Sequence, residues 1–216
     1  MTKIKICGLK TLDDIKAANA AKPDFVGFVF AESPRQIMPL DAWDMKNALS
    51  EGIIPVGVFV NSPLEVITMI LRSGAIEGVQ LHGGEDEEFV LNVKLVMARL
   101  KAAGEIKNEG FVIKAVQVEK LGDAQEWENS GADYLLLDGK NAGSGKAFDW
   151  NLIGKLKKPF FLAGGLNSEN VTDAVRKAAP FAVDTSSGVE ISPGVKCPGK
   201  IMEFVGSCRA KHGANA

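Results

Sequence analysis

Eight short runs of largely apolar, β-branched and aromatic residues recur along the chain at intervals of about 20 to 35 residues, and this spacing constrains the fold more than any other feature. The first is the alternating stretch Lys3 to Cys7, closing on Gly8. Phe25 to Phe30, Ile54 to Phe59, Gly78 to Gly83, Phe111 to Val116, Tyr134 to Asp138, Pro159 to Ala163 and Phe181 to Thr185 follow. Runs such as Phe25-Val26-Gly27-Phe28-Val29-Phe30 are too continuously apolar for a half-exposed antiparallel strand, so they read as parallel strands buried on both faces. Between them lie helix openings: Thr11 to Ile15, Pro39 with Asp41, Asn61-Ser62-Pro63, and the acidic start Glu85-Asp86-Glu87-Glu88. A sixth helix, beginning near Asp149 and Trp150, is expected to be short. Eight such units predict a (β/α)8 barrel, an α/β fold with eight parallel strands; an open doubly wound sheet is the alternative that pattern alone leaves.

At 216 residues and 46% hydrophobic composition the chain can bury one sizeable core, and no linker or composition break divides it. A single domain over residues 1–216 is expected, with a frayed tail from about Lys211. The net charge of -2 provides no basic footprint for nucleic acid and no polybasic membrane patch, so a small molecule is the expected partner. The charged, alternating start resembles no signal peptide, and no apolar run approaches the roughly 18 residues of a membrane span, which predicts a cytoplasmic location. Three cysteines without close pairing read as reduced thiols, and two histidines with no Cys/His cluster argue against structural zinc. No helix face is apolar enough to decide between monomer and homodimer.

In a barrel of this kind the chemistry sits where strands end, so the residues delivered there form the candidate site. Cys7 ends the first strand; as a lone cysteine it could equally be buried packing. Strand alternation puts Lys5 on the same inward side one layer below, where an ammonium would favour the thiolate. Lys5 could instead pair with Asp184 across the strands that close the barrel, a structural role for both. Asp138 follows Tyr134-Leu135-Leu136-Leu137 and is either a cap or a partly desolvated carboxyl with a raised pKa. From strands one and six, Cys7 and Asp138 could act on opposite sides of a substrate as base and acid. Gly164-Gly165 after the seventh strand and Ser186-Ser187-Gly188 after the eighth read as turns singly, but together they read as a phosphate grip of small residues with exposed N–H groups. Arg35, stiffened by Pro34, can fork onto a carboxylate or phosphate, although a lone loop arginine is usually only solvated. Asn61 also ends a strand, and His82 is scaffold or substrate contact. Gly143-Ser144-Gly145-Lys146 lacks the Walker spacing, with Ala147 where that motif needs a hydroxyl, and reads as a loop over the mouth.

Taken together and in order, these stretches resemble a known family. Lys5-Ile6-Cys7-Gly8-Leu9, Gly27 to Phe30 with Ser33-Pro34-Arg35, Val56 to Phe59, Val79 to Gly83, Leu136-Leu137-Asp138, Gly143 to Lys146 before Phe148-Asp149-Trp150, Leu162 to Leu166, and Val183-Asp184 through Ser186 to Glu190 are similar to phosphoribosylanthranilate isomerases from residue 3 to about residue 205. The resemblance implies a (β/α)8 barrel of tryptophan biosynthesis performing a cofactor-free Amadori rearrangement on a phosphosugar. It implies Cys7 as general base, Asp138 as general acid and Arg35 as the clamp on the anthranilate carboxylate. His82 and Asp184 would also meet substrate, and Gly164, Gly165, Ser186, Ser187 and Gly188 would hold its phosphate. No metal or other cofactor is expected.

Two positions depart from the family's usual pattern: Cys197 follows Gly194-Val195-Lys196 where an aspartate is common, and Ala147 stands for a frequent threonine. Cys197 puts the anchoring of the last helix in question, not the reaction. Three other readings compete with this one. A histidine-pathway ribose-phosphate isomerase relies on two carboxylates, which Cys7 at the end of the first strand disfavours. Indoleglycerol-phosphate synthase relies on lysines at strand ends, which neither Lys5 nor Lys114 occupies. A non-catalytic phosphosugar-binding barrel would need the phosphate loops but not both Cys7 and Asp138.

Overall fold

The structure, a computed structural model, describes residues 1–139 and 148–210. The Gly143-Ser144-Gly145-Lys146 loop, Ala147 and the tail from Lys211 lie outside the described residues. Eight parallel strands close in sequence order, with β1 (Lys3–Cys7) bonded to β8 (Ala182–Thr185) as well as to β2 (Phe25–Val29). Between them run β3 (Ile54–Phe59), β4 (Gly78–Leu81), β5 (Phe111–Val118), β6 (Tyr134–Gly139) and β7 (Phe160–Leu162). The closed barrel, not the open sheet, is therefore the fold.

The helices start where the sequence chemistry places them. In α1 (Leu12–Ala21), Thr11 accepts from the Asp14 N–H while Asp14 reaches back to the Thr11 N–H, a capping box. Pro39 occupies the first turn of α2 (Pro39–Ala48), and α3 (Leu64–Ser73) follows Pro63. The acidic run before α4 (Glu87–Ala102) divides differently from expectation: Asp86 caps the helix by accepting from Phe89 N–H, whereas Glu85 turns inward. Its carboxylate accepts from the N–H groups of Asn61 and Gly83 and pairs with buried Lys114 of β5 at 3.2 Å, tying the ends of β3 and β4 to the middle of β5. After β5 and β6 the described residues form short 3-10 turns, Gln125–Trp127 and Trp150–Ile153, the latter capped by Asp149 as the expected short sixth unit. The chain resumes with α5 (Val171–Ala178) and ends in α6 (Pro198–Arg209).

One element escaped the sequence reading. A hairpin of β9 (Glu190–Ser192) and β10 (Val195–Lys196) stands between β8 and α6, turning at Pro193-Gly194. It also settles how α6 is anchored despite Cys197: the Cys197 N–H donates to Val189 O, and Lys200 Nζ to Glu190 O. Among the described residues no helix is long and apolar enough to cross a membrane.

The barrel interior is layered. Its lower part is plugged by packed rings: Phe25 meets Phe161 edge-on at 5.3 Å between centroids, and Tyr134 stacks on Phe181 at 4.8 Å. Above this plug the inward residues shrink to Cys7, Val29 and Val58, which leaves room at the mouth. Between plug and mouth lies Lys5, fully buried, with Nζ 2.9 Å from Asp184 Oδ1 where β1 and β8 are in register. Deleting one partner strands a charge in the core. Asp184→Ala is expected to cost about 3–5 kcal/mol of stability, with Lys5→Met/Asp184→Ala recovering much of it. Denaturant midpoints of the three proteins check this; a single variant as stable as the parent would show that the pair does not carry the load assigned to it.

Candidate active site

A cavity of about 310 Å³ opens at the carboxyl end of the barrel. Its walls bring together Cys7 from β1, Arg35 after β2, His82 after β4, Asp138 from β6, Gly164 and Gly165 after β7, and Asp184, Ser186 and Ser187 from the end of β8. Gly188 and Asn61 are outside this set. Gly188 instead lies against Leu166, where an added Cβ would be 2.0 Å from the Leu166 carbonyl oxygen, so its smallness lets the two loops pack. Thr185 Oγ1 donates to that same oxygen at 2.7 Å. Asn61, at φ 49°, belongs to the Glu85 brace and accepts from Gly84 N–H.

Cys7 fits its place because β2 offers no side chain beside it: a Cβ on Gly27 would sit 2.5 Å from Cys7 Sγ. Its protonation differs from the sequence-based expectation. Burial pushes the thiol above its ordinary value of 9.0, and although Lys5 and Lys196 pull it down, Asp184 adds to the rise. Lys5 is paired with Asp184, whose charge opposes its pull, and burial outweighs what remains, so the free protein holds Cys7 as the thiol.

Asp138 faces the cavity from β6, with β7 and β8 between it and Cys7 on the shorter way round the barrel. Burial raises its carboxyl from 3.8 to about 6, with a hydrogen bond from its neighbour Gly139 N–H opposing and the Asp184 charge assisting. Gly164 is shaped to this carboxyl. At φ 82° it adopts a conformation open to glycine, and a Cβ there would lie 2.7 Å from Asp138 Oδ1. Gly164 thus seats the acid as well as forming a loop with Gly165, and among the described residues neither Gly164 N–H nor Gly165 N–H has a backbone or side-chain acceptor.

His82 Nδ1 is 2.8 Å from the amide nitrogen of Gln80, and burial followed by the Lys5 charge lowers its pKa, so the ring is neutral. Ser186 Oγ donates to Cys7 O at 3.1 Å, linking the β8 loop to the β1 end. Arg35 is not a free loop arginine. Its Nε and Nη2 bond both oxygens of Glu190 at 2.8 and 2.7 Å, and Glu190 Oε1 also accepts from buried Lys196 at 2.7 Å. Burial would raise the Glu190 carboxyl, but the hydrogen bonds from Arg35 and Lys196 outweigh it and hold it below its ordinary value. Glu190, Lys196 and Gln80 were missed by the sequence reading. For the first two the signal was the Ser192-Pro193-Gly194 turn, which folds their strands into a hairpin.

A pair of proton-transfer groups, a basic fork and two small-residue loops facing one cavity can bind an anionic sugar and move protons on it. Among the described residues no group of three or more His, Cys, Asp or Glu side chains could hold a metal ion.

Comparison with known proteins gives the same direction. The family model described as N-(5'phosphoribosyl)anthranilate (PRA) isomerase matches residues 4–207. A protein of Endomicrobium trichonymphae named N-(5'-phosphoribosyl)anthranilate isomerase is 44% identical, covering 95% of this chain and 97% of its own. The phosphoribosyl anthranilate isomerase of Thermus thermophilus superposes with a TM-score of 0.83 at 32% identity, covering 97% and 99% of the two chains. Another solved isomerase, in complex with reduced 1-(o-carboxyphenylamino)-1-deoxyribulose 5-phosphate, gives 0.80 at 35% identity over 97% and 100%.

The raised carboxyl has a measurable cost. Because the folded protein binds the Asp138 proton more tightly than the unfolded chain, stability is greatest below about pH 4 for this group and falls as pH rises through about 6. Asp138→Asn should therefore be more stable than the parent at pH 8, by up to about 3 kcal/mol, with the advantage gone below pH 4. Denaturation at the two pH values checks this; an equal or negative difference at pH 8 would mean that the carboxyl is not raised.

Proposed function

The chain belongs to the N-(5'-phosphoribosyl)anthranilate isomerase family, and we propose that within it Cys7 and Asp138 are the base and acid of the Amadori rearrangement. The protein is an isomerase of tryptophan biosynthesis, converting N-(5-phosphoribosyl)anthranilate to 1-(2-carboxyphenylamino)-1-deoxyribulose 5-phosphate. The observation that carries the assignment of residues is the placement of a carboxyl with a pKa of about 6 and a thiol on one small cavity flanked by the β7 and β8 loops.

That geometry supports the following steps. Asp138 in its acid form gives a proton to the ribose ring oxygen as the bond from that oxygen to the anomeric carbon breaks, and the anilino nitrogen takes up the positive charge as an iminium. The Cys7 thiolate then removes the proton from the adjacent carbon, leaving an enolamine. Transfer of the enol proton to the former anomeric carbon produces the amino-ketone. The enzyme is left with Asp138 ionised and Cys7 protonated and resets by proton exchange with solvent. Each positioned group typically contributes about 10² to 10⁴ in rate. Neutral His82 faces the same cavity as a hydrogen-bonding contact for substrate, and Asp184 lines its floor while holding Lys5.

Binding uses the ends of the substrate. The N–H groups of Gly164 and Gly165, which have no acceptor among the described residues, form the phosphate grip with Ser186 and Ser187, helped by Gly188 through loop packing. Arg35 takes the anthranilate carboxylate. A phosphosugar-binding barrel without catalysis would have no use for an acid held at about 6, a stability cost that a binding site avoids.

The test is loss of anthranilate-adduct fluorescence when the substrate is generated in situ. The parent should convert it, and Cys7→Ser should lose turnover by at least about 10²-fold while still binding a reduced product analogue. Full activity in that variant removes Cys7 from the mechanism. Arg35→Met should raise KM more than it lowers kcat, because the carboxylate is held alike in ground and transition states; an effect confined to kcat would contradict the clamp.

A further inference from the structure

Arg35 presents two edges on which a carboxylate can be held side by side: the Nε/Nη2 edge and the Nη1/Nη2 end. Glu190 occupies the first completely, with Nε to Oε1 at 2.8 Å and Nη2 to Oε2 at 2.7 Å. The second is left without an acceptor on the described residues. Glu190 is itself fixed. It is almost wholly buried, and Lys196 Nζ, also buried, donates to its Oε1 at 2.7 Å and to Ser186 O at 3.0 Å. The hairpin that carries both residues is pressed onto the Arg35 loop, since a Cβ on Gly194 would lie 2.3 Å from Pro34 O, and Lys10 Nζ donates to that same oxygen. The arginine stem crosses to Glu190 over Gly8, where a Cβ would be 2.7 Å from Arg35 Cδ.

From this arrangement we infer that Glu190 is a positioning residue that sets substrate specificity: it holds one edge of Arg35 so that the other faces the cavity, ready for the carboxylate of the anthranilate ring. Lys196 serves this by balancing the Glu190 charge and joining the hairpin to the β8 loop. The inference rests on the reading of Arg35 as the carboxylate clamp. It makes a prediction opposite to that of simple electrostatics. Removing a negative charge from an anion site should tighten every anionic ligand, whereas loss of a positioning group should weaken only the ligand that Arg35 grips.

The experiment is calorimetric binding of two probes: the reduced product analogue with its ring carboxylate, and the same molecule lacking that carboxylate but retaining the phosphate. The proteins are the parent, Glu190→Gln, Glu190→Asp, Arg35→Met, and Arg35→Met/Glu190→Gln. Glu190→Asp retains the charge and a partner for Lys196, so it remains informative if Glu190→Gln does not fold, yet it is one methylene too short to hold the same edge. Both Glu190 variants are expected to weaken the carboxylate probe by about 10-fold and to change the other by less than about threefold. In the Arg35→Met background Glu190→Gln should add nothing, since its effect acts through Arg35. If Arg35→Met selectively weakens the carboxylate probe and the Glu190 variants do not, or if they weaken both probes equally, the inference is overturned and the clamp stands. If Arg35→Met leaves the difference between the probes unchanged, Arg35 is not the clamp and the inference falls with it.

Discussion

The buried pair of Lys5 and Asp184 is the interaction on which the rest of the site depends. It joins the first and last strands of the barrel at one register position, with Asp184 on the cavity floor, so ring closure and site geometry share the same 2.9 Å contact. An ammonium with no exposure in the barrel core is tolerable only with its counter-charge in place. The pair also bears on the base: Lys5 pulls the Cys7 thiol down and Asp184 pushes it back up, while burial, the largest influence, decides the state of the thiol.

Above this pair the mouth is built by omission. Gly27 leaves room for the Cys7 sulfur, Gly164 for the Asp138 carboxyl and Gly8 for the arginine stem, each at a point where a Cβ would come within 2.7 Å of the group it accommodates. Below it, close-packed rings fill the barrel and exclude water. Gly164, which the sequence places in a phosphate loop, thus also shapes the seat of the acid, so its smallness matters twice.

Much of this was legible in the chain. Strand order and strand ends followed from apolar runs buried on both faces, and those ends carry Cys7, Asp138, Asp184 and the β8 loop. Alternation on the first strand, together with closure of the barrel between its first and last strands, offered the Lys5–Asp184 pair as one of two roles for Lys5. What was not legible were contacts between residues distant in sequence whose local pattern is ordinary. Glu85 reads as a helix-start acid because it adjoins Asp86 and Glu87, and only the fold brings Lys114 to it. Glu190 and Lys196 sit in a hairpin too short to register as strands, 155 residues from Arg35 in the case of the carboxylate. The balance between Lys5 and burial at Cys7 could not be read either, since it depends on how completely Asp184 neutralises the ammonium.

The protonation states make the account exposed to test. Catalysis needs Asp138 protonated and Cys7 ionised, yet the acid sits at about 6 and burial pushes the thiol above its ordinary value, so the working form is a minor one at neutral pH. The resting form is the one that the reaction leaves behind. Between the two pKa values the fraction in the working form does not change, because what the acid loses with rising pH the base gains. The pH dependence of kcat/KM is the direct measurement. A plateau from about pH 6 to beyond 9, falling tenfold per pH unit on each side, is the predicted result. A profile that climbs steadily through neutral pH, or declines steadily from pH 6, would contradict the account by showing that only one of the two groups is needed in its assigned state.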